Sequence, residues 1–404
     1  MSKRIDTAAL IDAAKAATGL DFTTRDFVEP LERFAESIDA EGNLGEAGIE
    51  GFRQDASRIL TNRLLIDAAF AANPEIAEQD VSDPVIITGL PRTGSTKLQK
   101  VLAAAGQRYQ SLPLWRALFP APIAPPGTDP DPRITLTEQQ TAVMFEMFPD
   151  FMAAHPMSTH EPEEEMLLLQ LSFRIPTNGW FYRAPSYVDW TERQDLTPTY
   201  TDLRRALQLL QWQDAERGLP SEHRNERGLP SEHRDGRRDR PWVLKSPAHL
   251  GCLTPLFEAF PQATVAHCHR DIHEALPSLA RLLELIQLSR GAEQVDKHEL
   301  GAFLTGYCAE LWRRNLEQRA GLDPDRILDL RYRDIRDDIG PVLDQIHTSR
   351  GVALDNTTRA TMLAWEDTNP QHRHGTHVYS LDRYGLTREG LDEAFADYLA
   401  RFGS

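Results

Sequence analysis

Through the first 80 residues, apolar side chains recur at intervals of three and four. That is the repeat of a helix with one buried face, and it predicts helices over residues 8–17, 27–37 and 46–72. Residues 1–80 therefore read as a helical extension ahead of a second domain over residues 81–404. At Pro84 the pattern changes to a short unbroken apolar run, Val85-Ile86-Ile87, the signature of a strand buried on both faces. Beyond it, helical periodicity predicts helices over residues 94–105, 137–146, 162–172, 198–217 and 335–349. Further strands are predicted around Trp242, over 263–270 and over 326–330. This alternation predicts an α/β fold whose parallel sheet is covered by helices on both faces, with ligand bound at the carboxyl ends of the strands.

Two stretches fall outside the pattern. Residues 119–127 hold four prolines within seven positions, so an extended or irregular loop is expected. Residues 216–225 and 226–235 are a tandem duplication, ERGLPSEHRN followed by ERGLPSEHRD. Two short, mostly charged copies bury too little to fold as repeats, so residues 216–240 are expected to form an exposed, flexible insertion.

A chain of 404 residues has length for a large core, and its net charge of −17 argues against nucleic acid or an anionic membrane as partner. Cys252, Cys268 and Cys308 lack metal-ligand spacing and read as buried thiols, so no disulfide is predicted. No targeting or membrane-spanning segment stands out, and a cytoplasmic protein is expected, with homo-oligomerisation left open.

The chemistry concentrates where the first strand ends. Gly89-Leu90-Pro91-Arg92-Thr93-Gly94-Ser95-Thr96-Lys97 runs from strand into helix, and its glycines let backbone N–H groups and the helix N-terminus converge on an anion. The spacing is nearly that of a nucleotide-binding P-loop, but Ser95 stands where that loop has lysine. A cation appears inside the loop instead, at Arg92, where it would face a terminal phosphate and the group arriving or leaving there.

This loop resembles the 5′-phosphosulfate loop of the sulfotransferases that use 3′-phosphoadenosine-5′-phosphosulfate (PAPS). The resemblance extends to Trp242-Val243-Leu244-Lys245-Ser246-Pro247, to Ala263-Thr264-Val265-Ala266-His267-Cys268-His269-Arg270-Asp271 and to Ala275-Leu276-Pro277-Ser278. It implies a P-loop-like three-layer α/β/α domain and transfer of a sulfuryl group from PAPS to a hydroxyl or amine of a small or medium-sized acceptor. The product nucleotide would be PAP, and no metal would be required. Implied contacts are Arg92, Thr93, Gly94, Ser95, Thr96 and Lys97 at the 5′ end and Arg270 with Ser278 at the 3′-phosphate. The tail resembles the family's loop over the nucleotide, which adds Arg373 and Gly375. Arg92 and Lys245 are the cations expected at the sulfuryl group and bridging oxygen.

The base is expected on another segment. Related sequences place a glutamate after Trp115, where this chain has Arg116, so attention moves to His160-Glu161-Pro162-Glu163-Glu164-Glu165. There His160 or Glu164 is the candidate general base, with His155 a lesser one, and a helix-capping charge cluster is the alternative reading. Five aromatics within residues 180–190 suit either an apolar acceptor or an ordinary core. The residues also leave open a P-loop kinase or NTPase, and a catalytically silent nucleotide-binding homologue acting as an interaction module.

Overall fold

The computed structural model describes residues 4–125, 128–216, 240–369 and 380–403. In chain order the helices are α1 Thr7–Thr18, α2 Val28–Glu41, α3 Glu46–Ala72, α4 Ser95–Ala104, α5 Leu114–Leu118, α6 Pro132–Met147, α7 Pro149–Ala154, α8 Met166–Leu169, α9 Pro176–Tyr182, α10 Pro185–Thr191 and α11 Thr197–Glu216. They continue as α12 Leu253–Ala259, α13 Ile272–Ser289, α14 Lys297–Arg319, α15 Tyr332–Asp337, α16 Gly340–Ser349, α17 Asn356–Thr368, α18 Arg388–Ala394 and α19 Ala396–Phe402. The strands are β1 Val85–Thr88, β2 Gln110–Ser111, β3 Trp242–Lys245, β4 Thr264–His269 and β5 Ile327–Arg331.

The chain divides into two compact units. This division differs from a linear boundary at residue 80, because the N-terminal helices, Met1–Val81, share a unit with Pro113–Arg238 and Leu285–Val295. The other unit, Ser82–Leu112, Asp239–Glu284 and Asp296–Ser404, holds the sheet.

In the sheet unit all strands are parallel, in the order β2-β3-β1-β4-β5. β1 lies between β3, with Ile87 opposite Lys245, and β4, with Thr88 opposite His267. Strands β1, β3 and β4 are buried along their whole length, as the unbroken apolar run predicted. One face packs Val85, Ile87, Val243 and Ala266 against Leu98 and Leu102 of α4, Leu343 and Ile346 of α16 and Met362 of α17. Because the strands are parallel, the turns after β1, β3 and β4 open at the same end of the sheet. The α/β expectation is thus realised.

The all-helical unit has its own core. Phe34 of α2 and Phe52 of α3 pack edge to face at 5.2 Å, Tyr182 lies edge-on to both at 5.6 Å, and Tyr187 stacks on Phe34 at 4.4 Å. Of the aromatics of residues 180–190, Trp180, Phe181, Tyr182 and Tyr187 are buried, and Tyr182 and Tyr187 belong to this core. Two helices differ from expectation. The helix predicted over 162–172 is reduced to α8 and a 3-10 turn, because Pro162 bridges to Pro113 and the chain enters helical conformation only after Glu165. The helix predicted over 335–349 is split into α15 and α16, with Pro341 in the first turn of the second.

Candidate nucleotide and sulfuryl site

At the end of β1 the backbone turns through a left-handed series. Gly89 has φ 138°, Arg92 φ 72° and Gly94 φ 87°. A Cβ on Gly89 would fall 2.4 Å from the Cys268 carbonyl oxygen, so only glycine fits beside β4. Arg92 adopts the left-handed region without glycine's freedom, a strained conformation of the kind that concentrates at functional sites. Its environment holds it there: Arg270 Nη1 donates to the Arg92 carbonyl at 2.8 Å, and Arg92 Nε donates to Ser278 Oγ at 3.3 Å. Three residues drawn from separate sequence motifs thus form one linked group. Ser278 comes within reach because it lies about two turns into α13, whose start follows Arg270.

Arg270 is fixed on further sides. Nε and Nη2 donate to Glu274 Oε2 at 3.0 and 2.7 Å, and the guanidinium lies over the Tyr332 ring at 4.3 Å. Tyr332 also meets the space above Gly94, where a Cβ would lie 3.0 Å from its ring. Sequence reasoning missed Glu274 and Tyr332. An acid one turn after an arginine, and an aromatic directly after a strand, were the available signals.

The remaining loop residues divide by role. Thr93 is buried and its Oγ1 donates to the Leu90 carbonyl at 2.8 Å, which closes the turn. Ser95 and Thr96 open α4, whose first N–H groups and positive dipole end suit an anion. The Lys97 ammonium does not join this group, being bonded to the Glu366 carboxylate and, at 3.2 Å, to the Arg336 carbonyl. Lys245 is buried at the carboxyl end of β3, across the ladder from Ile87. The junction of β1 and β3 is tied there by Ser246 N to the Ile87 carbonyl at 3.1 Å and Thr88 Oγ1 to the Ser246 carbonyl at 3.0 Å. Arg373 and Gly375 lie outside the described residues, as does the insertion over 216–240 apart from Glu216 and Arg240.

Further along β4, one ring nitrogen each of His267 and His269 and an Asp329 oxygen lie within 4.8 Å of one another, a grouping able to hold a metal ion. The guanidinium of Arg319 already stands among them, bonded to His267 at 2.5 Å and to both oxygens of Asp329 at 2.8 and 3.0 Å. Burial holds both histidines below their usual range, helped at His267 by the charges around it and opposed at His269 by Asp329. At Asp329 burial pushes upward but is outweighed by hydrogen bonds from His269 and Arg319, which bring the carboxyl from 3.8 down to about 2. Burial likewise pushes the Cys268 thiol up to about 12, and all three cysteines are buried and free of disulfides.

The base candidates belong to the helical unit. The N–H groups of Leu114 and Trp115, at the start of α5, donate to the carbonyls of Glu161 and Thr159 at 3.2 and 3.3 Å. The segment carrying His160 therefore runs beside the turn carrying Arg116. His160 is exposed in a turn and Glu164 is half-buried, whereas Glu163 and Glu165 are buried. Glu163 accepts from the Glu164 N–H at 2.9 Å and lies 3.5 Å from His155 Nε2. Arg116 takes a structural part, pairing with Asp214 at 2.9 Å and donating to the Leu210 carbonyl at 2.6 Å on α11.

The chain is similar to several known proteins. Omega-hydroxy-beta-dihydromenaquinone-9 sulfotransferases of Mycobacterium bovis and Mycobacterium tuberculosis are each 23% identical over 339 residues, 81% of this chain and 77% of theirs. The crystal structure of sulfotransferase STF1 from Mycobacterium tuberculosis H37Rv is 28% identical with TM-score 0.80, over 98% of this chain and 100% of that one. That of STF9 from Mycobacterium avium is 25% identical with TM-score 0.83, over 100% and 98%. Among the described residues, no helix is long and apolar enough to cross a membrane. Residues 84–356, from the first strand to the start of α17, match the sulfotransferase family, and the chain belongs to it as an enzyme of sulfuryl transfer.

Proposed function

We propose that the chain transfers the sulfuryl group of PAPS to a hydroxyl, or an amine, of a small or medium-sized acceptor. The observation that carries this reading is the linked group Arg92–Arg270–Ser278 at one end of the parallel sheet. Two guanidinium groups, a hydroxyl and a glycine cradle form a donor set fit for a nucleotide phosphorylated at both its 5′ and 3′ ends. PAPS, when bound, supplies an activated sulfuryl group on a phosphate leaving group.

The chain's own residues then have separable tasks. The amides of residues 93–97 and the dipole of α4 hold the 5′-phosphate, so Lys97 contributes through its backbone N–H. Arg270 and Ser278 hold the 3′-phosphate. Arg92 and Lys245 stand as fixed cations where negative charge gathers on the sulfuryl oxygens and leaving oxygen; being buried, Lys245 acts with little dielectric screening. His160 accepts the acceptor's proton at a ring nitrogen, with Glu164 the alternative base. The relatives that act on omega-hydroxy-beta-dihydromenaquinone-9 favour an acceptor hydroxyl on a largely apolar molecule.

Calorimetry with PAP, AMP and ATP tests the cosubstrate. PAP should bind far more tightly than either, because AMP leaves Arg270 without its anion. Equal affinities for PAP and AMP would overturn the assignment of Arg270 and Ser278. Labelled PAPS offered with pools of hydroxylated apolar acceptors tests the acceptor class.

A further inference from the structure

The ladder between β4 and β5 ends where His269 pairs with Arg331. Arg270 is the first residue beyond it, and its N–H and C=O need partners from elsewhere. One side chain serves both: the Arg270 N–H donates to Tyr398 Oη at 3.2 Å, and that hydroxyl donates to the Arg270 carbonyl at 3.0 Å. Tyr398 belongs to α19 at the chain's C-terminal end and is 5% exposed. Its ring stands edge-on to Trp312 at 5.0 Å and packs near Phe402 at 5.6 Å and His269 at 5.8 Å. Burial raises its pKa above that of an ordinary phenol, so the hydroxyl keeps the proton it donates.

The backbone so held carries a guanidinium that is itself oriented. Of its five N–H donors, three serve Glu274 and the Arg92 carbonyl among the described residues, which leaves one each on Nη1 and Nη2. Those two donors are charge-assisted partners for a phosphate.

We propose that Tyr398 is a positioning residue of the cosubstrate site, its hydroxyl fixing the backbone of Arg270 and thereby aiming those two guanidinium donors at the 3′-phosphate. The proposal rests on reading Arg270 as the 3′-phosphate ligand. A C-terminal helix thus sets the preference of a loop more than a hundred residues earlier in the chain.

The test uses full-length Tyr398→Phe, which removes only the hydroxyl, with PAP and AMP titrated separately by calorimetry. The expected result is PAP binding weakened by roughly tenfold, the scale of one or two lost hydrogen bonds, with AMP binding unchanged within about twofold. Loss of affinity for both nucleotides alike, or for neither, would overturn the proposal. Trp312→Phe loosens the ring packing yet keeps the hydroxyl, and it should lower the melting temperature without changing the PAP-to-AMP ratio; a ratio change there like that of Tyr398→Phe would reduce Tyr398 to a packing residue. Arg270→Gln separates the two levels of the argument. If it abolishes the PAP preference while Tyr398→Phe preserves it, this inference alone fails; if it leaves the preference intact, the underlying reading of Arg270 fails.

Discussion

The proposed cosubstrate ligands and the proposed base of this protein are held by different means. In the sheet unit, Arg92, Lys245, Arg270 and Ser278 come from three distant stretches, and parallel strands deliver them to one edge with the spacing set by backbone ladders. In the helical unit, the candidate base stands in a turn that is tied to α5 by a bridge and by backbone hydrogen bonds among the described residues. On the proposed reading, the anion ligands are set by strand ladders, whereas the base is carried by a loop segment.

The first way to break this comparison is at the proposed base. His160→Ala should lower turnover by roughly 10²–10⁴-fold and leave PAP affinity nearly unchanged. A larger loss in Glu164→Gln would move the base to the carboxylate. On the cosubstrate side, Lys245→Met should cost roughly 10²–10³-fold in turnover, as expected for one electrostatic contact to developing charge. Should both variants weaken PAP binding equally, the division of tasks between the two segments would be wrong.

Stability sharpens the contrast next. Arg319→Met leaves Asp329 and the buried His267 without their shared cation, and it should destabilise the fold by about 3 kcal/mol in denaturant titration. The pH dependence has a definite sign. His267 and His269 are held neutral in the fold, so the unfolded chain takes up protons first as pH falls below 6.5, and stability declines from there. The stability from Asp329 is present above about 3.8 and is lost as pH falls toward 2. His267→Gln should flatten the decline between roughly pH 6.5 and 5; a wild-type melting temperature that stays level over that interval would contradict the assignment. The smallest effect is expected from deleting residues 226–235, which by loop-closure entropy should change stability by less than about 1 kcal/mol and leave turnover intact.

Much of the cosubstrate side was legible because glycine spacing and strand ends are local signals. The eight residues from Arg270 to Ser278 could be read as two helical turns, and the structure links both to Arg92. What stayed hidden was tertiary. No pattern marks Tyr398, since the register of a C-terminal helix against a strand end is set by packing, and Lys97 reads like a phosphate ligand until Glu366 is seen beside it. Strand β2 spans only Gln110–Ser111, too short for periodicity to reveal. The aromatics of α9 and α10 were ambiguous for a physical reason, because a ring that packs a core and a ring that lines an apolar pocket obey the same composition.

The pairing of Arg270 with Glu274 has a consequence for the solvent around the protein. A bare guanidinium at the mouth of a cleft would draw chloride, sulfate or free phosphate from any buffer, and the nucleotide would have to displace them. Here a tethered carboxylate already occupies one edge, 2.7 Å from Nη2, in a chain whose net charge of −17 repels small anions. Ordinary counter-ions should therefore compete weakly, and a ligand must bring several phosphate charges together on one scaffold to overcome that repulsion at the donors Glu274 leaves open.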